Sequence, residues 1–182
     1  MKDKFRLRCL CCNKNNLNEI INLGLHSFAD RFVPKEKLNI IDPKYPLILD
    51  MCNNCKFIQS RTITSPKNRY LEIDYSYTSS NSNYSRNHWV EFADSLEKKT
   101  KLKNKKIIEI GSNDGFLSYL LKKKGADVLG VDASEFMVKI SKKKINAIQS
   151  IFSNSQSKKI KKLFGKADII IANNVFNHSN KP

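Results

Sequence analysis

Two cysteine pairs, Cys9-Leu10-Cys11-Cys12 and Cys52-Asn53-Asn54-Cys55, and one glycine loop, Gly111-Ser112-Asn113-Asp114-Gly115, hold the residue types and spacings that could do chemistry in this chain. Two residues between cysteines let a tight turn aim both thiolates at one ion, and two such turns supply four thiolates for a tetrahedral shell. A zinc ion held by Cys9, Cys12, Cys52 and Cys55 would have a closed shell, so the site would be structural and carry no reactive water. The competing readings are unpaired buried thiols or a redox pair. Cys11, inside the first knuckle, is the spectator by spacing.

The glycine loop follows an apolar run, Lys105–Ile110, and opens a helix expected from about Phe116 to Lys124. Gly111 and Gly115 let backbone approach a ligand where a side chain would collide, and the helix amino terminus beyond offers free N–H groups. Asp132 ends the next strand, Asp127–Asp132, 21 residues after Gly111. A carboxylate there suits an acid that accepts from both ribose hydroxyls of an adenosine cofactor. The loop is not G-x-G-x-x-G and has no G-K-[ST], which disfavours NAD and ATP.

These residues need elements to position them. A short strand at Ala147–Gln149, a helix near Ser155–Phe164 and a strand at Ala167–Ala172 continue the alternation begun by the glycine loop. The order β-α-β-α-β-α-β predicts an α/β fold with a parallel, doubly wound, Rossmann-like sheet and right-handed crossovers. Before it, Asn87 to Lys99 reads as a helix with Trp89, Val90, Phe92, Ala93 and Leu96 on one face. The segment YLEIDYSYTSSNSNYSRNH, residues 70–88, is either a linker or a hydrogen-bonding loop of the kind that holds polar ligands. Residues 1–60 carry all five cysteines and short strands: Glu19–Gly24 ending in a glycine turn, Tyr45–Met51, and Lys56–Gln59. An extended segment is expected over Phe28–Pro34. The divisions are 1–60, a β-rich zinc-binding module; 61–86, a substrate-facing connector; and 87–182, the first half of a nucleoside-cofactor domain.

Thirty-three Lys and Arg against seventeen Asp and Glu give a net charge of +16 over 182 residues. Of the basic residues 27 are Lys and 6 are Arg, and Lys is the poorer bidentate reader of bases and phosphates. The charge is therefore read as solvated surface that also attracts a small anionic substrate, with a zinc-ribbon nucleic-acid-binding protein as the alternative. A non-catalytic module that binds a cofactor or sugar nucleotide is the other alternative. The amino terminus lacks a signal peptide's apolar core, and no apolar run approaches the roughly 18 residues that span a bilayer. The expected location is the cytoplasm, with no membrane partner, where cysteines serve metals more often than disulfides.

Taken together the motifs resemble a known family. Glu109-Ile-Gly-Ser-Asn-Asp-Gly115 is similar to motif I of class I S-adenosylmethionine (SAM) methyltransferases, in the form found in zinc-containing sugar C-methyltransferases acting on nucleotide-linked 3-keto-deoxysugars. The four paired cysteines, Phe28-Ala-Asp-Arg-Phe32, Tyr75-Ser-Tyr-Thr-Ser-Ser80 with His88, and Ala172-Asn-Asn-Val-Phe-Asn-His178 match its other motifs, in its order. The resemblance implies SAM as cofactor, a structural zinc ion and deoxysugar biosynthesis as the setting. It implies that Gly111, Ser112, Asn113 and Gly115 pass under the methionine part. Glu109 and Asp114 would organise the loop or meet the amino group, and Asp132 would take the ribose. Phe152 would pack on the adenine, where the family often has an acid near position 150, and Asn174 would line the pocket. Tyr77 and His178 would face the sugar as candidates for proton transfer. The family is longer and carries its likely base beyond the strands present here. The chain is thus expected to be an amino-terminal fragment, from a truncated reading frame or from a split gene whose other half is a separate chain, with Ile169–Ile171 as an exposed strand.

Overall fold

A computed structural model describes residues 4–29, 33, 35–70 and 77–180. The chain divides into two compact units, Met1–Ile73 with Ser179–Pro182, and Asp74–His178.

The first unit is built on strands. The two-residue strands β1 (Lys4–Phe5) and β5 (Thr62–Ile63) pair antiparallel. β2 (Leu17–His26), β3 (Tyr45–Cys52) and β4 (Ile58–Ser60) form a second antiparallel sheet in that order. β2 does not stop at Gly24 as the glycine suggested. Gly24 has φ +80° and lies where the pairing with β3 slips between Asn22 and Leu25, so it makes a bulge and the strand runs on. A short helix, α1 (Pro66–Tyr70), follows, and the unit continues past residue 60. Arg69 of α1 lies over the Phe28 ring, which stacks on Tyr45 at 4.5 Å. Phe28 and Ala29 are described, whereas residues 30–32 of the Phe28–Phe32 motif and residue 34 lie outside the described residues. A 3-10 turn at Lys35–Lys37 follows.

Burial in this unit is polar as well as apolar. Asp50 is 1% exposed and receives a fork from Arg61, whose Nε and Nη2 donate to its carboxylate. Arg61 Nη1 reaches Glu19 at 2.8 Å, so one guanidinium ties β2 and β3 to the turn after β4.

The second unit carries a four-stranded parallel sheet, in spatial order β8 (Asn146–Gln149), β7 (Asp127–Asp132), β6 (Lys106–Ile110), β9 (Ile169–Ile171). α2 (Asn83–Thr100) begins four residues before the apolar face suggested, because Ser82 caps it, its hydroxyl accepting from Ser85 N–H. Ala93 of α2 is fully buried and Trp89, Phe92 and Leu96 pack beside it. Val90, counted on the same face, is 41% exposed. α3 (Phe116–Lys123), α4 (Glu135–Ser141) and α5 (Asn154–Phe164) connect the strands. One core holds Ile107, Val128, Leu117, Leu121 and Leu102; another holds Ile108, Leu129, Val131 and Ile160 of α5. Alternate residues of β6 and β7 thus serve opposite sheet faces, as period-2 strands buried on both sides must. β9 is an edge strand and its Ile170 is 61% exposed. No described helix is long and apolar enough to cross a membrane.

Candidate functional site

The two cysteine knuckles fold in the same way. Asn13 N–H donates to Cys9 O and Cys9 N–H to Lys14 O, while Lys56 N–H donates to Cys52 O and Cys52 N–H to Phe57 O. Asn13 and Lys56, each four residues after the first cysteine of its pair, both adopt positive φ, +58° and +62°. Each turn thereby points two sulfurs the same way. The Sγ atoms of Cys9, Cys12, Cys52 and Cys55 lie within 4.8 Å of one another, and Cys9–Cys55 and Cys12–Cys52 are 3.6 Å apart. A tetrahedron of zinc–sulfur bonds of about 2.3 Å sets its sulfurs about 3.8 Å apart, so the set fits a zinc ion. Hydrogen bonds from the backbone of Cys55 and Asn54 hold the Cys52 thiol down at about 7. Cys55, despite a backbone hydrogen bond at Phe57 that lowers it, is pushed up to about 12 by burial and the neighbouring sulfurs. Four thiols this close cannot all ionise without a cation among them. Cys11 is exposed and stands outside the set.

Gln59, 5% exposed, accepts from Leu10 N–H and donates to Arg8 O, clamping the first knuckle to β4. Sequence reasoning placed Gln59 in the outgoing strand and missed this role. A polar residue at a core position of a strand was the available signal.

The glycine loop leaves β6 at the point where the sheet order reverses, with β7 on one side and β9 on the other. Gly111 (φ +68°) donates to Val131 O at 2.7 Å, and Gly115 (φ +73°) caps α3. A Cβ on Gly111 would lie 2.3 Å from Val175 Cγ2, so the segment after β9 packs directly on the loop. Gly130 in β7 is needed for a similar reason, since a Cβ there would meet Ser112 Oγ at 2.6 Å. Neither Val175 nor Gly130 was singled out from the sequence, because a close approach between segments far apart in the chain leaves no local signature. Ser112 is 3% exposed, and among the described residues neither its buried Oγ nor the buried Nδ2 of Asn173 has a hydrogen-bond partner.

Asp132 stands at the carboxyl end of β7. Its Oδ2 accepts from Asn113 N–H and its Oδ1 from Ser134 N–H, both at 2.8 Å. Burial raises its pKa, and the hydrogen bonds from Ser134, Asn113 and Ala133 oppose the shift. Glu109, 5% exposed in β6, accepts from Ser118 N–H and Oγ at 3.1 and 2.5 Å. Burial, with Asp114 and Asp132 nearby and Ser118 opposing, pushes its pKa up to about 8. The carboxyl therefore ties α3 to β6.

The side chains of Asn113 and Asp114 are hydrogen-bonded to residues 77–80. Asn113 Nδ2 donates to Tyr77 O, its Oδ1 accepts from Ser79 N–H, and Asp114 accepts from the hydroxyls of Ser79 and Ser80. Tyr77, 49% exposed, is thereby brought to the glycine loop. Tyr75 lies outside the described residues. Asn174 sits exposed with φ +53° in the turn after β9, and His178 ends a 3-10 turn, Phe176–His178. Phe152, 37% exposed, occupies the loop between β8 and α5. A cavity of about 540 Å³ lined by Lys142, Ile145, Ala147 and Phe164 involves none of these residues.

A family model described as “Methyltransferase domain” matches residues 83–182. The chain belongs to this methyltransferase-domain family. A second model, described as “Putative zinc binding domain”, matches residues 9–70, which include all four clustered cysteines. Similar solved structures include magnesium protoporphyrin IX methyltransferase from Synechocystis PCC 6803. With bound SAH it is 22% identical, with a TM-score of 0.39 over 48% of this chain and 41% of that one. With bound SAM the values are 20%, 0.41, 52% and 47%. A SAM-dependent methyltransferase from Archaeoglobus fulgidus is 25% identical, with a TM-score of 0.29 over 35% of this chain and 29% of that one. The chain spans less than half the length of each of these. No curated protein matches it.

The residues of this methyltransferase domain fit an adenosyl cofactor on their own chemistry. A carboxylate offers about four lone-pair sites, and the backbone N–H groups of Asn113, Ala133 and Ser134 leave Asp132 room to accept from a ribose hydroxyl. Gly111 and Gly115 hold the left-handed backbone that turns the loop at the strand end, and Val175 packs against the first while Ser141 and Ile145 pack against the second.

Proposed function

We propose that the chain serves a SAM-dependent C-methyltransferase whose acceptor is a nucleotide-linked keto-deoxysugar. The observation that carries the cofactor reading is the pairing of Gly111–Gly115 with Asp132 at the ends of adjacent parallel strands, beside the switch point of the sheet. The sugar reading is supported by the order of the motifs: four thiols, the Tyr77–Ser80 segment, the glycine loop and Asn173–His178.

SAM, when bound, supplies a sulfonium methyl group as the electrophile. Asp132 would hold the ribose, the backbone of Gly111–Gly115 would pass under the methionine part, and Phe152 and Asn174 would stand at the pocket's margins. The acceptor must lose a proton from the carbon beside its ketone, leaving an enolate whose carbon takes the methyl. Tyr77 and His178 are the candidates for hydrogen bonding to the ketone oxygen or moving that proton. β9 has an open edge among the described residues, where a further strand would pair.

The test is made in deuterium oxide with a nucleotide-linked 3-keto-deoxysugar, with and without SAM. The expected result is exchange of the proton beside the ketone, then release of S-adenosylhomocysteine (SAH) with a methylated sugar. SAH release with a non-sugar acceptor, and none with any sugar nucleotide, would contradict the assignment.

A further inference from the structure

Motif residues Asn113 and Asp114 have side chains that already have partners inside the protein. The Asn113 amide donates through Nδ2 to Tyr77 O at 2.8 Å, and its Oδ1 accepts from Ser79 N–H at 2.8 Å and Asp114 N–H at 2.9 Å. Asp114, 2% exposed, accepts from Ser79 Oγ at 2.7 Å on one oxygen and from Ser80 Oγ on the other. Segment 77–80 is held from the far side as well. Trp89 Nε1 donates to Ser79 O at 3.2 Å and Arg86 Nη1 to Ser80 O at 2.6 Å.

We infer that Asn113 and Asp114 are positioning residues that strap segment 77–80 onto the glycine loop, so that filling the cofactor site and seating Tyr77 are coupled. The inference rests on the cofactor reading above. Its physical basis is a short bonded path. Asn113 N–H donates to Asp132 Oδ2, the carboxylate assigned to the ribose, and the side chain of the same Asn113 grips both Tyr77 and Ser79. A ribose hydroxyl that joins Asp132 therefore shares the carboxylate with the backbone N–H of the residue that holds the strap. Asn113 adopts φ +50°, a left-handed conformation that asparagine tolerates better than most side chains, which lets one residue face both ways. The Ser79 and Ser80 hydroxyls meet a charged acceptor, and such hydrogen bonds are about twice as strong as neutral ones.

Trp89 is the single tryptophan of the chain, so its emission reports the strap. The experiment compares the zinc-loaded chain with a Ser79→Ala/Ser80→Ala variant and a Ser79→Thr/Ser80→Thr variant that keeps both hydroxyls. SAH binding is measured by calorimetry, and Trp89 emission and acrylamide quenching are followed in the same titration. In the unsubstituted chain the emission change should share its midpoint with the heat. The alanine variant should quench more readily when free and bind SAH about tenfold more weakly, and the threonine variant should recover most of both. SAH bound equally well by the alanine variant, with unchanged quenching, would overturn the strap and leave the cofactor site standing. No SAH binding by the unsubstituted chain would overturn the cofactor reading, and the coupling with it.

Discussion

Removing the metal from the four-cysteine set should unfold the first unit and leave the second folded. Among the described residues of Met1–Ile73, the buried apolar side chains are Cys9, Cys52 and Ile48. Full burial of an isoleucine is worth about 1.5–3 kcal/mol, while ordering each residue's backbone costs about 1–2 kcal/mol. The Arg61–Asp50 fork adds specificity, but a buried ion pair is a weak source of net stability. A structural zinc ion contributes about 10–16 kcal/mol in small zinc domains, as much as the whole stability of an ordinary domain, about 5–15 kcal/mol. The second unit has two cores of its own around Ile107 and Ile108. The reduced full chain is purified, its metal is counted by plasma emission, and its far-ultraviolet circular dichroism is followed on heating with and without a chelator. One zinc per chain is expected, and the chelator should abolish the transition that contains the strands of the first unit while sparing the helices. Cys52→Ser should behave like the chelated protein. A metal content near zero in folded protein, or identical melting with chelator, would refute the reasoning.

Three further outcomes follow from the same geometry. Asp132→Asn keeps the side chain's shape and removes its charge; a ribose bound by charge-assisted hydrogen bonds predicts SAH affinity about 10–100-fold weaker by equilibrium dialysis, and an unchanged affinity would remove Asp132 from the site. Glu109 has a folded pKa of about 8, above the ordinary carboxyl value, so the folded state keeps a proton that the unfolded state gives up. Its contribution is therefore present at low pH and lost as pH rises toward 8, a few kcal/mol at most; urea unfolding of the second unit should weaken over that window in the native chain and lose this slope in Glu109→Gln. Arg61→Ala leaves the Asp50 carboxylate, 2% exposed on its side chain, buried without its partner, and chemical denaturation of the first unit should register a loss of about 3–5 kcal/mol.

The centre of the parallel sheet was legible because β6 and β7 each announce themselves twice, by an apolar run and by the charged or glycine residue at its end. Ile107–Ile110 before Gly111 and Val128–Val131 before Asp132 are the clearest instances. The boundaries of α2 were less legible, since the cap at Ser82 sits in a run of serines and asparagines where any could serve. Gly24 reads locally as a turn; only its pairing with β3 makes it a bulge. The cysteine set was readable from spacing alone, as the turn geometry of C-x-x-C is local. The destination of the motif side chains was not. Asn113 was expected under the methionine part and Asp114 either to organise the loop or to meet the amino group, and their partners at 77–80 lie more than thirty positions away, a distance over which composition says nothing about contact. Gly111→Asp illustrates the same gap: it looks like a clean way to fill a ligand site, yet Val175 already stands where any side chain at 111 would go. Loss of binding in that variant would not separate a blocked pocket from a displaced loop.

The central claim is that the glycine loop and Asp132 form an adenosyl-cofactor site, and calorimetric titration of SAH into the zinc-loaded chain tests it most directly. Saturable binding with one site per chain is the predicted result. A heat signal no different from dilution, in protein whose second unit melts cooperatively, would contradict it.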